Sequence, residues 1–132
     1  MIILMKINEL SNSGLGIEIT DIDLKKTLNE KNINIIRNLW LNYSVAVFPN
    51  QKLNHFEFEK FSLNFGTYGD DPYLIPVDSN HPHIMEIRRD ANEKTALFGG
   101  TWHSDWSFQK KPPSATLLHS KIIPPIGGDT LF

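Results

Sequence analysis

The chain has 132 residues, 40% of them hydrophobic and 21% charged, with a formal net charge of −2; this is the profile of one soluble globular domain large enough to bury a core. Neither a basic nor an acidic surplus supports a nucleic-acid or membrane partner. Cysteine is absent, which excludes disulfides, thiolate metal sites and cysteine nucleophiles, so any metal would be held by nitrogen and oxygen.

In chain order, the opening MIILM breaks at Lys6. It is too short for a signal-peptide core or a membrane span, and a cytoplasmic location is expected. Residues 15–24, LGIEITDIDL, alternate apolar and polar side chains and predict a half-buried strand entering a turn. Ile33, Ile36, Trp40 and Tyr43 recur at helical spacing and predict a helix from about Asn29 to Tyr43. SVAVF (44–48) reads as a short buried strand ended by Pro49-Asn50. Asn54 with Glu57 three residues on forms a relaxed capping box. Phe58, Phe61 and Phe65 supply the stripe of the helix that follows, with Gly66 as its C-terminal cap.

Beyond Gly66 the character changes. Residues 67–82 read as a loop, then HIMEIR (83–88), TWHSDWSF (101–108) and SATLLHSK (114–121) read as strands. PPIGGD (124–129) makes a turn, and TLF opens a further strand on which the sequence stops, as expected of a truncated chain or a fragment. The layout predicts one α+β, mainly β domain over residues 1–132. It fits the first portion of a double-stranded β-helix, the jelly roll of cupin-like proteins, with the N-terminal helices packed on the sheet.

GTWHSDWSF (100–108) carries the chemistry. In a strand, residues two apart share a face, so His103 and Asp105 project together. One imidazole and one carboxylate on a common face can converge on a cation. With one further histidine they complete the two-histidine, one-carboxylate facial triad of non-haem Fe(II) oxygenases. The spacing alone is weak evidence, as short motifs are. Other histidines fit less well. His55 and Glu57 lie two apart on a helix and cannot chelate as a pair. His81 and His83 fall in a polar loop without a nearby acid and read as solvated. His119 reads as a half-buried residue with a backbone partner.

The segment FGGTWHSDWSFQKKPPSATLLHSKIIPPIGGDTLF, preceded by LGIEITDIDL, SVAVFPNQKLN and FEKFSLNFG, closely resembles the taurine dioxygenase-like (TauD/TfdA) family of Fe(II)- and 2-oxoglutarate-dependent dioxygenases. The family includes the 2,4-dichlorophenoxyacetate oxygenases, and the ordered elements cover nearly all the chain. The resemblance implies that His103 and Asp105 are the first two iron ligands. It implies that Thr130 bonds the distal carboxylate of 2-oxoglutarate, and that Tyr73, Gly99 and Trp106 fall where the family lines its substrate pocket. It implies Fe(2+), 2-oxoglutarate and O2 as cofactors, and hydroxylation of a small, acidic organic substrate with decarboxylation of 2-oxoglutarate to succinate.

Two departures from the family pattern matter. Taurine enzymes use a histidine and an asparagine on the sulfonate where this chain carries Asp70-Asp71 and Gly99; aspartates would repel that anion, so taurine is disfavoured. The family's second iron histidine and its 2-oxoglutarate arginine lie downstream of these residues, so the chain by itself is expected to be inactive. The competing reading is a catalytically dead jelly-roll fragment, at most a weak binding or structural module. For the intact protein a homo-oligomer stays open.

Overall fold

The computed structural model describes residues 4–69, 75–95 and 99–131. Strand β1 (Lys6–Glu9) pairs antiparallel with β2 (Ile17–Thr20), Lys6 opposite Thr20 and Glu9 opposite Ile17. Helix α1 (Glu30–Tyr43) then crosses over and delivers β3 (Ala46–Val47) parallel to β2, giving a three-stranded sheet in the order β1-β2-β3. Parallel neighbours need such a crossover, because no tight turn can return the chain in the same direction. Alternation along β2 is strict: Ile17 and Ile19 have no exposed surface, while Glu18 and Thr20 are half-buried.

Ile17 and Ile19 meet Ile33 and Ile36 from α1, with Ile22, Leu24, Leu28, Leu53 and Phe61 completing the buried cluster. Fully burying each of the isoleucines contributes about 1.5–3 kcal/mol. Asn29 caps α1, its side chain accepting from the Asn32 amide at 2.9 Å. Gln51 clamps the crossing loop: its side-chain oxygen accepts from the Leu24 amide (3.1 Å) and its nitrogen donates to the Ile22 carbonyl (3.0 Å).

Helix α2 (His55–Ser62) starts on the expected capping box. The Asn54 side chain accepts from the Glu57 amide and Glu57 accepts from the Asn54 amide, both at 2.8 Å. Gly66 is not its cap. The helix ends at Ser62 with Leu63 as its C-cap, and the Asn64 side chain donates to the carbonyls of Lys60 (3.1 Å) and Phe61 (2.8 Å), doing the capping work before Gly66 is reached. Arg37 donates to the Asn64 carbonyl at 2.6 Å and joins this end to α1.

A hairpin of β4 (Pro76–Asp78) and β5 (His81–Met85) packs against α2. Residues 76–78, expected as loop, are therefore strand, and the strand expected at 83–88 begins two residues earlier. Neither TWHSDWSF nor SATLLHSK forms a strand. Along 113–119 the burial still alternates, with Pro113, Ala115, Leu117 and His119 half-buried and the residues between them exposed. The segment is extended and one-sided as its pattern dictates, but it has no ladder partner among the described residues. It is pinned instead by His119 on the Gln51 carbonyl (2.9 Å) and by Lys121 donating to the Leu53 carbonyl (2.8 Å). Thr130 and Leu131 are likewise not strand, and Phe132 lies outside the described residues. The observed architecture is α+β. Among the described residues no helix is long and apolar enough to cross a membrane.

Candidate metal centre

His103 and Asp105 sit in an irregular segment, yet they converge. His103 Nε2 lies 3.2 Å from Asp105 Oδ1, with the two side chains 49% and 50% exposed. Each is oriented by a neighbour. His103 Nδ1 is 2.6 Å from the Thr101 carbonyl, and the Thr116 hydroxyl donates to Asp105 Oδ2 at 3.1 Å. A carbonyl only accepts, so Nδ1 carries the hydrogen and Nε2 is the nitrogen that faces the carboxylate. At 3.2 Å the two groups can share a proton, as an ordinary ion pair, or a metal ion.

The spacing fits a metal. Two ligands at right angles, with bonds of about 2.1 Å, sit about 3.0 Å apart. The donor set of one imidazole and one carboxylate suits a borderline cation such as Fe(II). Among the described residues, the only group of three His, Asp or Glu ligand atoms within 4.8 Å of one another is His55, Asp78 and His81. Among the described residues the His103–Asp105 pair therefore has no third such ligand in reach.

Gly99 acts on the pair through space. Its φ of +66° favours glycine, and a Cβ there would meet His103 Cε1 at 3.2 Å, so the missing side chain makes room for the ring. Trp106 is half-buried with φ +54°, a conformation a bulky residue adopts only under constraint. This breaks the regular alternation directly after Asp105, and the ring turns toward Phe108, centroids 5.9 Å apart. Trp102 is exposed and does not wall the site. Thr130 is exposed and follows the Gly127-Gly128 turn, both glycines at positive φ; a Cβ on Gly128 would strike Pro124 Cγ at 2.9 Å. Tyr73 lies outside the described residues.

Thr101 and Thr116 were missed by sequence reasoning. The alternating pattern of 113–119 signals that Thr116 faces away from the core, but nothing local says that Asp105 waits there. The reading of His81 as solvated and without a nearby acid is corrected, whereas His83 is exposed as expected. His81 Nδ1 lies 2.7 Å from Glu59 Oε2, and His55 Nδ1 lies 3.9 Å from Asp78 Oδ2, so acids are close. His83 stacks on Tyr68, centroids 4.1 Å apart. His119 has the backbone partner expected of it.

Comparison with known proteins identifies the family. The sequence pattern of the Taurine catabolism dioxygenase TauD, TfdA family matches residues 6–132. The chain is 31% identical over 131 residues to an alpha-ketoglutarate-dependent 2,4-dichlorophenoxyacetate dioxygenase of Cupriavidus pinatubonensis, covering 89% of this chain and 45% of that protein. It is 33% identical over 129 residues to an alpha-ketoglutarate-dependent sulfonate dioxygenase of Saccharomyces cerevisiae, covering 89% of this chain and 31% of that one. A solved structure from Burkholderia xenovorans, assigned as an alpha-ketoglutarate-dependent taurine dioxygenase, superimposes with a TM-score of 0.54 at 31% identity, over 64% of this chain and 32% of the other. The chain thus spans less than half the length of these relatives. Matched along nearly all its own residues, it belongs to the TauD/TfdA family.

Proposed function

We propose that the chain is the N-terminal portion of the catalytic domain of an Fe(II)- and 2-oxoglutarate-dependent dioxygenase. The overall reaction is hydroxylation of a small, acidic organic substrate by O2, coupled to conversion of 2-oxoglutarate to succinate and CO2. The observation that carries this reading is the approach of His103 Nε2 to Asp105 Oδ1 at 3.2 Å with Nδ1 already committed to Thr101, in a chain whose family relatives are named for alpha-ketoglutarate dependence.

In this reading His103 and Asp105 hold the ion, while the Thr101 carbonyl and the Thr116 hydroxyl fix their orientation. Iron bound there supplies oxygen activation, the step no side chain can perform. The Thr130 hydroxyl donates to the distal carboxylate of 2-oxoglutarate, a charge-assisted bond. Tyr73 and Trp106 line the substrate side. Gly99 keeps room for the His103 ring, where an asparagine in taurine enzymes would reach a sulfonate. Asp70 and Asp71 disfavour a sulfonate as anionic group by charge repulsion. The jelly-roll architecture belongs to this proposal too, with residues 101–108 and 114–121 taking ladder partners in the complete domain.

With two protein ligands, the 132-residue chain binds iron weakly and turns over little. Anaerobic Fe(II) titration of the chain by calorimetry, with and without 2-oxoglutarate, tests the assignment. Weak binding that disappears in His103→Ala is expected, and unchanged binding in that variant refutes the site.

A further inference from the structure

Away from His103 and Asp105, three side chains from two elements meet. His55 comes from the first turn of α2, and Asp78 and His81 come from the tight turn between β4 and β5. One ligand atom from each lies within 4.8 Å of the other two. We propose that His55, Asp78 and His81 form a second metal site, for a borderline divalent cation of the zinc class, with Glu59 orienting the His81 ring. This site shares no residue with the His103–Asp105 pair and does not depend on the dioxygenase reading.

The carboxylate of Asp78 is split between two tasks. Its Oδ1 accepts from the amides of Asn80 (2.7 Å) and His81 (2.9 Å), which locks the turn and fixes the side chain. Its Oδ2 is left facing His55 Nδ1 at 3.9 Å. That distance is too long for a hydrogen bond. It is closer to the separation of two ligands on one ion, about 3.4 Å for tetrahedral bonds of about 2.1 Å. The two groups are held near each other without being bonded to each other, and a small rotation of either ring or carboxylate closes the gap.

His81 shows the complementary half of the arrangement. Its Nδ1 lies 2.7 Å from Glu59 Oε2, in a pocket where the two side chains are only 21% and 17% exposed. An ionised carboxylate only accepts, so Nδ1 donates and the lone pair stays on Nε2. A ring N–H donated to a carboxylate is the arrangement that fixes the tautomer of metal-bound histidines and raises their basicity. Glu59 lies four residues after His55 on α2, so one helix face supplies both a ligand and the orienting acid. The rings of His55 and His81 already meet edge to face, centroids 5.1 Å apart.

Two imidazoles and one carboxylate select the zinc class over calcium or magnesium, which take oxygen ligands. The bound ion would staple the start of α2 to the hairpin, a structural role in which metal binding adds to folding stability.

The test uses the full 132-residue chain carrying His103→Ala and Asp105→Ala, which removes the first site at two half-exposed positions. After chelator treatment it is titrated with Zn(II) by calorimetry and with Co(II) by visible absorption. One equivalent is expected to bind. Asp78→Asn, which keeps an oxygen for the turn amides, lowers the affinity by about 100-fold, and Glu59→Gln by about 10-fold. X-ray absorption at the zinc edge of the same background shows two imidazoles in the first shell, a readout independent of whether further variants fold. Absence of uptake in this background, uptake indifferent to Asp78→Asn, or a shell with fewer than two imidazoles would overturn the proposal.

Discussion

Thr116 decides how Asp105 is presented. Its hydroxyl occupies Oδ2, which leaves Oδ1 as the oxygen turned to His103; a carboxylate free to rotate would offer either. Partners of this kind typically carry about 10–100-fold of a metal's affinity. Thr116→Val keeps the branched shape and deletes the donor. It is expected to weaken Fe(II) binding about 10-fold in the anaerobic titration while leaving the fold intact, and an unchanged affinity would show that the hydroxyl is a bystander. The approach of His103 to Asp105 was legible in the sequence because side chains two residues apart in an open backbone can point the same way even where no strand forms. Gly99 drew notice only through the family pattern, which led to the expectation that it lines the pocket. Its contact with the imidazole of His103, a ring four residues on, is a property of the local backbone bend that no pattern encodes.

At the scale of elements, the local devices were readable and the pairings were not. The Asn54–Glu57 box is complete within four residues, so α2 starts where the sequence says. The alternation of 15–24 likewise found its sheet. Strand β1 went unread because all four of its residues are exposed, so it shows no apolar alternation. Residues 101–108 were over-read because β-branched and aromatic content reports a tendency to extend, while a ladder needs a partner elsewhere. The end of α1 offers a test in alkali. The Tyr43 hydroxyl donates to Glu9 at 2.8 Å and ties the helix to β1. That bond to the carboxylate, with the charge of Glu9 behind it, holds the phenol above its ordinary value. Because the folded form keeps its proton longer than the unfolded form, the contribution is fully present below about pH 10 and is lost as pH rises through the folded value. Ultraviolet titration of the three tyrosines should show one ionising late. Glu9→Gln should return it toward the others, and three superimposable ionisations would refute the tie.

For the whole molecule, the distribution of burial is lopsided. The buried cluster runs from Ile17 to Phe61, whereas Trp102, Phe108, Leu118, Ile122, Ile123, Ile126 and Leu131 stand exposed. Opening free energies follow buried contact, so stability is uneven along the chain. Amide hydrogen exchange should find the slowest protons in α1 and β2 and rapid exchange through 99–131; equal protection across both regions would contradict this arrangement. The same unevenness explains why the convergence of His55, Asp78, His81 and Glu59 escaped the sequence. Residues 22 to 26 positions apart met only after α2 docked on a hairpin whose first strand was itself unread.

The confinement of that cluster to residues 17–61 bears on synthesis as well. A chain leaves the ribosome amino end first, and early segments with short-range contacts condense before later ones exist. Once Phe61 has emerged, every member of the cluster is in hand, so the leading half can settle while the histidine and aspartate at 103 and 105 are still untranslated. The stretch that carries them is then laid onto a platform already formed, and a slow or faulty downstream half would disturb that stretch without undoing its foundation.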